Sequence, residues 1–382
     1  MLIYWIWLAT RQGMTAREKQ VVLAYFGSPE DCYFAKEAAY KNMEELSQTA
    51  VEALFDKNIQ EAEEILASCA KKKIHILTWQ DARYPVALKN ISDPPMILYY
   101  RGTLPEFNTE PCIGVVGTRK ASAYGLKLAE NISKQIARCG GIVVSGMAEG
   151  IDAMATRGAL AEGKPVVGVL GCGADVVYPR CNRELFLKME RNGCLISEYP
   201  PETKPDKWNF PKRNRIISGL SCGVLVVEAP MKSGALITAR QALDQGRDVF
   251  VTPGNVGIAS CEGSNALLRD GAIMVTSGWD ILSEYVHRYP DKIRETGTAN
   301  ANDKKPIDKA APQPYIDLDK NAAGENSPEE AILACLEGGE QIIDAIIEKT
   351  GLSSGAVLAA LTLLEVTGDV VTRPGGWVAK NL

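Results

Sequence analysis

The sequence predicts an α/β protein: a doubly wound parallel sheet with a small helical domain before it and a winged helix after it. Short apolar runs alternate with amphipathic segments in the middle of the chain, and a three-helix and hairpin pattern follows a polar stretch at its end. Because 382 residues exceed one ordinary core, we expect separate domains. Their predicted bounds are 1–80 (helical), 81–288 (sheet), 289–326 (disordered linker) and 327–382 (winged helix).

The first 80 residues have helical patterns. Thr15-Ala-Arg-Glu18 has the spacing of a capping box before the apolar run Val21–Phe26, and Gly27-Ser-Pro29 ends that run. Residues 44–70 are rich in Glu, Ala and Leu, which favour helices. The slight acidity of this domain favours a packing module over a DNA-binding one.

The N-terminal apolar stretch is too short to cross a bilayer and lacks the flanking features of a signal peptide. We therefore expect Trp5 and Trp7 to pack in a helical core, with no membrane partner and a cytoplasmic location. The 10 cysteines are scattered without a C-x-x-C motif, and the chain has 2 histidines. A metal site needs clustered ligands, so the sequence predicts none, and free thiols suit a reducing compartment.

The central strand candidates share runs of β-branched and other apolar residues. They are Cys112–Gly117, Ile142–Ser145, Pro165–Leu170, Cys194–Ser197, Val224–Glu228, Val249–Thr252 and Ala272–Val275. Helical patterns lie between them, for example Leu126–Arg138, Ile151–Leu160 and Ala235–Gln245. Nearly continuous apolar runs are typical of strands buried on both faces, and their alternation with helices indicates a parallel sheet.

The C-terminal part begins with residues 289–326, which are rich in Asp, Lys, Asn, Ala and Pro and predict a disordered linker. Ser327-Pro-Glu-Glu330 then indicates a helix start. The patterns that follow are three helices and a strand–turn–strand, at Ala331–Leu336, Ile342–Lys349, Ser354–Leu364 and Asp369–Val378. These elements together predict a winged helix.

The charge is unevenly distributed along the chain, whose formal net charge is −5. Residues 81–288 hold 24 basic and 21 acidic groups, whereas residues 327–382 hold 3 and 8. We therefore expect any phosphate-binding surface in the central domain.

Ligands of a doubly wound sheet bind beyond the carboxyl ends of its strands. After the first strand, Gly117 allows close approach, Thr118 offers a hydroxyl and Arg119 a bidentate phosphate donor. After the second, Ser145 and the amides around Gly146 are candidate anion ligands. Neither a dinucleotide fingerprint nor a P-loop is present, and the sequence predicts no cofactor.

The basic segment Asn209–Arg215 has the composition of a loop for single-stranded nucleic acid. It combines cations for phosphates with an aromatic ring for a base: Phe210, Lys212, Arg213, Asn214 and Arg215. A solvated basic surface is the alternative interpretation. Lys232 and Ser233 add a cation and a hydroxyl at a later helix start.

No catalytic constellation is predicted, because no histidine falls among the central strand candidates. Glu198 and Glu228 end strands and could form a carboxylate pair. We expect them instead to pair with the arginines of the basic segment.

Taken together, the loop motifs resemble the DprA/Smf family of DNA-processing proteins of natural transformation. They occur in family order over roughly residues 80–280. The matching segments are Gly117-Thr-Arg119 with Tyr124-Gly125, Ser145–Asp152, Leu170–Gly173, Asp175–Pro179, Ser197–Pro201, Phe210–Leu220, Val226–Ala229, Lys232–Arg240, Gly246-Arg247 and Gly263–Asn265. The resemblance implies an extended Rossmann-like fold with a SAM-like N-terminal domain and a C-terminal winged helix.

The same resemblance implies a non-enzymatic protein that binds single-stranded DNA in a basic pocket, protects it and loads RecA recombinase. Arg119 and the segment 210–215 become the best contact candidates, with Ser145, Gly146, Lys232 and Ser233 beside them. Glu149 departs from the basic residue that the family often carries in its turn, so we do not count it as a contact.

The resemblance also implies a homodimer formed by the Rossmann-like domain. Its predicted surface is Ser264–Val275, where Leu267, Leu268 and Ile273 cluster.

Two other functions remain open. A nucleotide phosphoribohydrolase of the lysine-decarboxylase-like Rossmann group has similar phosphate loops, but Lys232–Arg240 lacks the glutamate for its acid–base step. A transcription regulator would read duplex DNA through its winged helix. The candidate recognition helix Ser353–Leu364 has no Lys or Arg, and duplex binding depends on phosphate neutralisation. Transformation and general recombination are not distinguished.

Overall fold

The structure is a computed structural model that describes residues 1–295, 327–373 and 376–381. It contains two compact units, Met1–Asn300 and Ala301–Leu382. Most of the predicted linker, residues 296–326, lies outside the described residues.

The N-terminal part of the first unit is helical, as expected. Its helices are α1 (Leu2–Thr10), α2 (Ala16–Phe26), α3 (Pro29–Phe34), α4 (Glu37–Lys41), α5 (Gln48–Phe55) and α6 (Gln60–Lys72). Trp5 and Trp7 are buried in their common core, which confirms the packing prediction. Gly27 ends α2 at a φ of 78°, a backbone conformation that favours glycine.

The helix-forming stretch 44–70 is split into α5 and α6. The carboxylate of Asp56 accepts the Asn58 N–H (2.9 Å), and the Asn58 side chain accepts the Gln60 N–H (2.9 Å). Such local bonds compete with helix continuation. Arg11 ties Asp56 to α1 at 2.7 Å, so the break is part of the packing.

The predicted capping box of α2 forms and joins two helices. The Glu18 carboxylate accepts the Thr15 N–H (2.7 Å) and, from the start of α5, the Ser47 N–H (2.9 Å). Burial alone would raise the pKa of Glu18, but the hydrogen bonds from Ser47 and Thr15 outweigh it and hold the pKa at about 2.

Replacing Glu18 by alanine is expected to lower the free energy of unfolding by about 1–3 kcal/mol, because two backbone donors lose their acceptor. In urea unfolding, the difference from wild type should be full at neutral pH and shrink as pH falls from about 4.5 toward 2, where the folded carboxyl gains its proton. Replacement of the exposed Glu64 on α6 is the control. Equal losses in the two variants would contradict the assigned role.

A nine-stranded mixed sheet forms the centre of the first unit. Its strands are β1 (His75–Thr78), β2 (Ile97–Gly102), β3 (Cys112–Val116), β4 (Ile142–Ser145), β5 (Val166–Leu170), β6 (Cys194–Ser197), β7 (Gly223–Val226), β8 (Asp248–Val251) and β9 (Ile273–Met274). The order is β1-β2-β6-β5-β4-β3-β7-β8-β9. Strands β3 to β9 pair in parallel, as predicted. The sequence missed β1 and β2, which add an antiparallel edge beside β6.

Helices cover both faces of the sheet, so the α/β doubly wound prediction is confirmed. They are α7 (Val86–Lys89), α8 (Ala123–Arg138), α9 (Ile151–Ala161), α10 (Arg183–Asn192), α11 (Asn209–Leu220), α12 (Gly234–Asp244), α13 (Glu262–Arg269) and α14 (Gly278–Leu282). One core contains Ile132 of α8 and Phe186 of α10, and the other contains Leu88 of α7 and Ile216 of α11.

Two boundaries differ from the prediction. The basic segment 209–215 is the start of α11 and not a loop, and every residue of that helix from Arg213 to Leu220 is buried. The linker does not begin at residue 289: Tyr289 contacts the Cys222 thiol (3.2 Å) and Ile293 is buried in the core.

The second unit is a winged helix, as predicted. Its elements are α15 (Pro328–Cys335), β10 (Gln341–Ile342), α16 (Ile343–Thr350), α17 (Ser354–Thr367), β11 (Val370–Arg373) and β12 (Trp377–Lys380). The three short strands pair in the order β10-β12-β11 around a separate apolar core.

No single helix within the described ranges has the length and apolar character to cross a membrane. Helix α16 and the first part of α17 meet that criterion only as a pair, bent by 115°.

Candidate functional site

A cleft of about 710 Å³ opens at the carboxyl ends of β3 and β7. The chain runs from β3 through α8 to β4 on one side, whereas β7 lies on the other side of β3. The loops after these strands therefore diverge, which is where ligands of open α/β sheets bind. The cleft is lined by the loop after β3, the start of α11 and the loop before α12.

The exposed charges of the cleft are all positive. Arg119 and Lys120 come from the loop after β3, Lys207 from the segment before α11, and Lys232 from the loop before α12. Asp152, the one carboxylate among the lining residues, is buried beneath them. A concave site with cations at its surface attracts an anion such as a phosphate chain.

Arg213 is buried in the lining of this cleft. It is 4% exposed, and its Nη1 donates to the carbonyl oxygens of Gly146 (2.8 Å) and Val169. Burial lowers its pKa to about 10, against the opposing charge of Asp152, so the guanidinium stays charged at neutral pH. Arg213, predicted as a phosphate contact, thus lines the cleft but is buried, and its guanidinium is already bonded to backbone carbonyls.

Gly146 lies between two buried charged groups. A Cβ at this position would come within 2.6 Å of Arg213 Nη2 and 2.7 Å of Asp152 Oδ2. Its N–H donates to Asp152 Oδ2 (3.1 Å), and burial raises the pKa of that carboxyl. The turn after β4 needs a glycine at this position, because a side chain would clash with these two groups. The Gly146 N–H already donates to Asp152, so it is not free to bind a phosphate.

Three other predicted contacts also have internal partners. The Ser145 hydroxyl donates to the Val115 carbonyl (2.8 Å), and the Asn214 side chain donates to the Gly234 carbonyl (3.3 Å). Arg215 is 8% exposed and is held by carboxylates on two sides. These side chains stabilise the loops around the cleft, and Asn214 also lines it, so their predicted role as direct ligands stays a prediction.

The acidic partners of Arg215 are Asp93 (2.8 Å) and Glu198 (2.6 Å). The expected pairing of Glu198 with the basic segment is thus confirmed. Glu228 instead accepts the Ser122 hydroxyl (2.9 Å), so its predicted arginine partner is wrong.

Lys212 is exposed but does not line the cleft. It lines a separate cavity of about 140 Å³, together with Lys19 and the acidic partners of Arg215. The structure therefore separates Lys212 from the other exposed cations.

Phe210 lies half-buried at the floor of the cleft. Its ring centroid is 5.3 Å from that of Tyr178, and the Arg119 guanidinium lies 5.5 Å from the ring. A Cβ on Gly171 would come within 2.8 Å of the Phe210 ring, which shows how closely the backbone approaches. Phe210 thus positions Arg119 and leaves part of its ring accessible.

The remaining predicted residues lie at the cleft. Gly117 is needed for close packing, since a Cβ there would come within 2.5 Å of Ile151. The Thr118 hydroxyl accepts the Lys120 N–H (3.2 Å) and orders the loop. Ser233 caps α12 through the Ala235 N–H (3.2 Å).

The sequence analysis missed Lys120 and Lys207. Lys120 directly follows the motif that drew attention to Arg119, so its position beside that arginine was a usable signal. Lys207 lies before the basic segment, and only the fold brings it to the cleft.

Glu149 lies outside the cleft lining. Its carboxylate accepts the Cys181 thiol (3.3 Å), and together with burial it raises the pKa of that thiol. Glu149 and Arg119 nevertheless line the same small cavity of about 60 Å³ beside the cleft.

Histidines are placed away from this cleft. His75 lies on the edge strand β1, stacked on Tyr100 at 5.0 Å, and His287 is exposed near the end of the first unit. In the ranges that the structure describes, no group of three or more His, Cys, Asp or Glu side chains is arranged to hold a metal ion.

The winged helix offers little positive charge for duplex recognition. The exposed side chains of α17 include Leu358 and Leu363, and Arg373 in the wing is paired with Glu340 at 3.0 Å. Groove-reading helices need cations near phosphates, so these contacts disfavour the transcription-regulator interpretation.

Comparison with known proteins assigns the family. The chain matches the family described as DNA recombination-mediator protein A over residues 75–286 and the DprA winged helix domain over 316–376. It is 42% identical to the DNA processing protein DprA of Bacillus subtilis over 224 residues, which are 59% of this chain and 75% of that protein.

Two solved structures are similar to the fold. DprA from Streptococcus pneumoniae has a TM-score of 0.66 and 34% identity, covering 74% of this chain and 98% of that one. DprA from Helicobacter pylori, described as having a unique single-stranded DNA binding mode, has a TM-score of 0.52 and 28% identity, covering 57% and 99%. A relative from Synechocystis that is named Protein Smf is 32% identical over 97% of each chain. The chain belongs to the DprA/Smf family.

Proposed function

We propose that this protein binds single-stranded DNA in the cleft, in the cytoplasm, during the processing of DNA taken up in transformation. The observation that carries the proposal is the set of four exposed cations around a concave site with no exposed carboxylate in its lining. Single strands are bound by such grooves when aromatic groups lie beside the cations, as Phe210 does here. The H. pylori relative, described as binding single-stranded DNA, supports the same ligand class.

The shape and charge of the site favour a single strand over a duplex. The cations surround one cleft between loops, whereas a duplex is contacted by a protruding helix or ribbon in its groove. The winged helix has one arginine in its wing, and that arginine is paired with Glu340. It therefore supplies no such basic helix.

Purified protein is expected to bind a labelled single-stranded oligonucleotide with an affinity that falls steeply with salt, and to bind the matching duplex much more weakly. Fluorescence anisotropy at two salt concentrations measures both, with a mononucleotide as third ligand. Steady hydrolysis of a nucleoside monophosphate would contradict the proposal and support the phosphoribohydrolase alternative.

We further propose that the bound strand is protected and then passed to RecA. The family description as a recombination mediator supports this step. This step is tested by comparing the rate at which RecA nucleates on the strand in the presence and in the absence of the protein.

A homodimer through the Rossmann-like domain is also part of the proposal. Edge strand β9 exposes Ile273 (40%) and Met274 (61%), and an apolar groove beside it is lined by Ile237 and Leu243 of α12. Leu267 packs partly against the core but also reaches this groove. An unpaired edge with apolar neighbours is a surface that a second copy can cover.

The full chain is expected to have a dimer mass in light scattering at micromolar concentration. Met274→Asp should shift it toward the monomer, because a carboxylate would be buried in an apolar contact. A monomeric wild-type protein would contradict this surface.

A further inference from the structure

We propose that Trp208 is a stacking platform for a nucleobase of single-stranded DNA at the rim of the cleft. The inference rests on the proposed function and extends it: the bound strand would continue beyond the cleft along the segment before α11. Phe210 and Tyr178 are the aromatic residues that line the cleft itself, and Trp208 would bind the next part of the strand.

Most of the surface of Trp208 is exposed to solvent and does not pack against the protein. Its side chain is 73% exposed, whereas Trp5 and Trp7 are buried and Trp377 is 41% exposed. A tryptophan buries a large apolar area when it can, so an indole left open to solvent is a candidate binding surface.

The backbone that carries this indole is held in place. The Trp208 N–H donates to Asp206 Oδ1 (2.9 Å), and the Asn209 N–H donates to the Asp206 carbonyl (3.0 Å), directly before α11. Upstream, Glu202 is tied to Lys72 at 2.6 Å, and the Thr203 carbonyl accepts the Gly173 N–H at 2.9 Å. Because this segment is already ordered, a ligand that stacks on Trp208 need not order the backbone on binding.

The surroundings of the ring suit a base attached to a phosphate chain. Lys207 lies 5.2 Å from the ring and also lines the cleft, and Lys204 is exposed on the same segment. Of the two acidic residues nearby, Glu202 is paired with Lys72 and Asp206 accepts the Trp208 N–H. A strand leaving the cleft would place phosphates at the lysines and a base on the indole.

The test compares the wild type with Trp208→Ala and Trp208→Phe, using oligothymidines of about 4 and about 16 nucleotides, the range of single-strand site sizes. With the long oligonucleotide, Trp208→Ala should bind roughly 5- to 150-fold more weakly, and Trp208→Phe should bind nearly as the wild type does. With the short one, which fills the cleft, both variants should match the wild type.

Tryptophan fluorescence gives a second readout. The long oligonucleotide should quench the wild type, and Trp208→Phe should remove most of that quenching while Trp377→Phe, the matched control in the wing, keeps it. Urea unfolding of Trp208→Ala should match the wild type, because the indole is mostly exposed.

These experiments distinguish failure of the proposed function from failure of the stacking role of Trp208 alone. A wild type that binds no single strand would overturn the proposed function and this inference with it. A wild type that binds, with Trp208→Ala equal to it at both lengths and quenching retained in Trp208→Phe, would overturn only the stacking role. Loss of RecA nucleation with unchanged DNA affinity would also overturn it, since the indole would then contact protein.

Discussion

Replacing Arg213 by alanine is expected to lower the free energy of unfolding by about 3–5 kcal/mol, the scale for removing one member of a buried charged pair. The substitution leaves two carbonyl oxygens, of Gly146 and Val169, without their donor, and leaves the buried Asp152 without a nearby positive charge. Arg213 thereby links the turn after β4 to the end of β5 and to α11.

The neighbouring Lys212→Ala is the matched control, because it removes a cation one position away that is exposed. Denaturant unfolding should show a large loss for Arg213→Ala and a small one for Lys212→Ala. Similar stabilities of the two variants would contradict the buried role of Arg213.

The double variant Arg119→Ala, Lys232→Ala is expected to lose about 2–5 kcal/mol of binding free energy for single-stranded DNA, with each charge-assisted contact contributing about 1–3 kcal/mol. Both side chains are exposed in the cleft, so the fold should be unaffected. Anisotropy titration of a single-stranded oligonucleotide measures the loss, and circular dichroism checks the fold.

Lys212→Ala is again the control, since its side chain lines the separate cavity with Asp93 and Glu198. It should bind DNA as the wild type does. If Lys212→Ala weakened binding as much as the double variant, the strand would follow the basic segment of the sequence and not the cleft.

Most of the fold could be predicted because the parallel strands are apolar on both faces. Strands β4 and β6 have the predicted bounds, and β3 ends one residue before the predicted end. Strand β1 was missed because it lies at the sheet edge and only one of its residues is buried, which weakens the apolar signal. Strand β2 was also missed, although four of its six residues are buried.

The loops predicted after β3 and before α12 line the cleft, whereas several of the predicted side chains are buried. Composition identifies where cations cluster, and it does not show which of them are buried. The spacing of residues within α11 does not show it either, because all eight residues from Arg213 to Leu220 are buried, on every side of the helix. Arg119, in a short turn with no apolar periodicity, stays exposed.

The salt dependence of single-strand binding tests the cleft most directly. The logarithm of the binding constant falls with the logarithm of salt concentration by about 0.7 for each phosphate neutralised on a single strand. If Arg119 and Lys232 each contact a phosphate, the double variant should have a slope smaller than the wild type by about 1.4. An unchanged slope would contradict the assignment of the phosphate chain to this cleft.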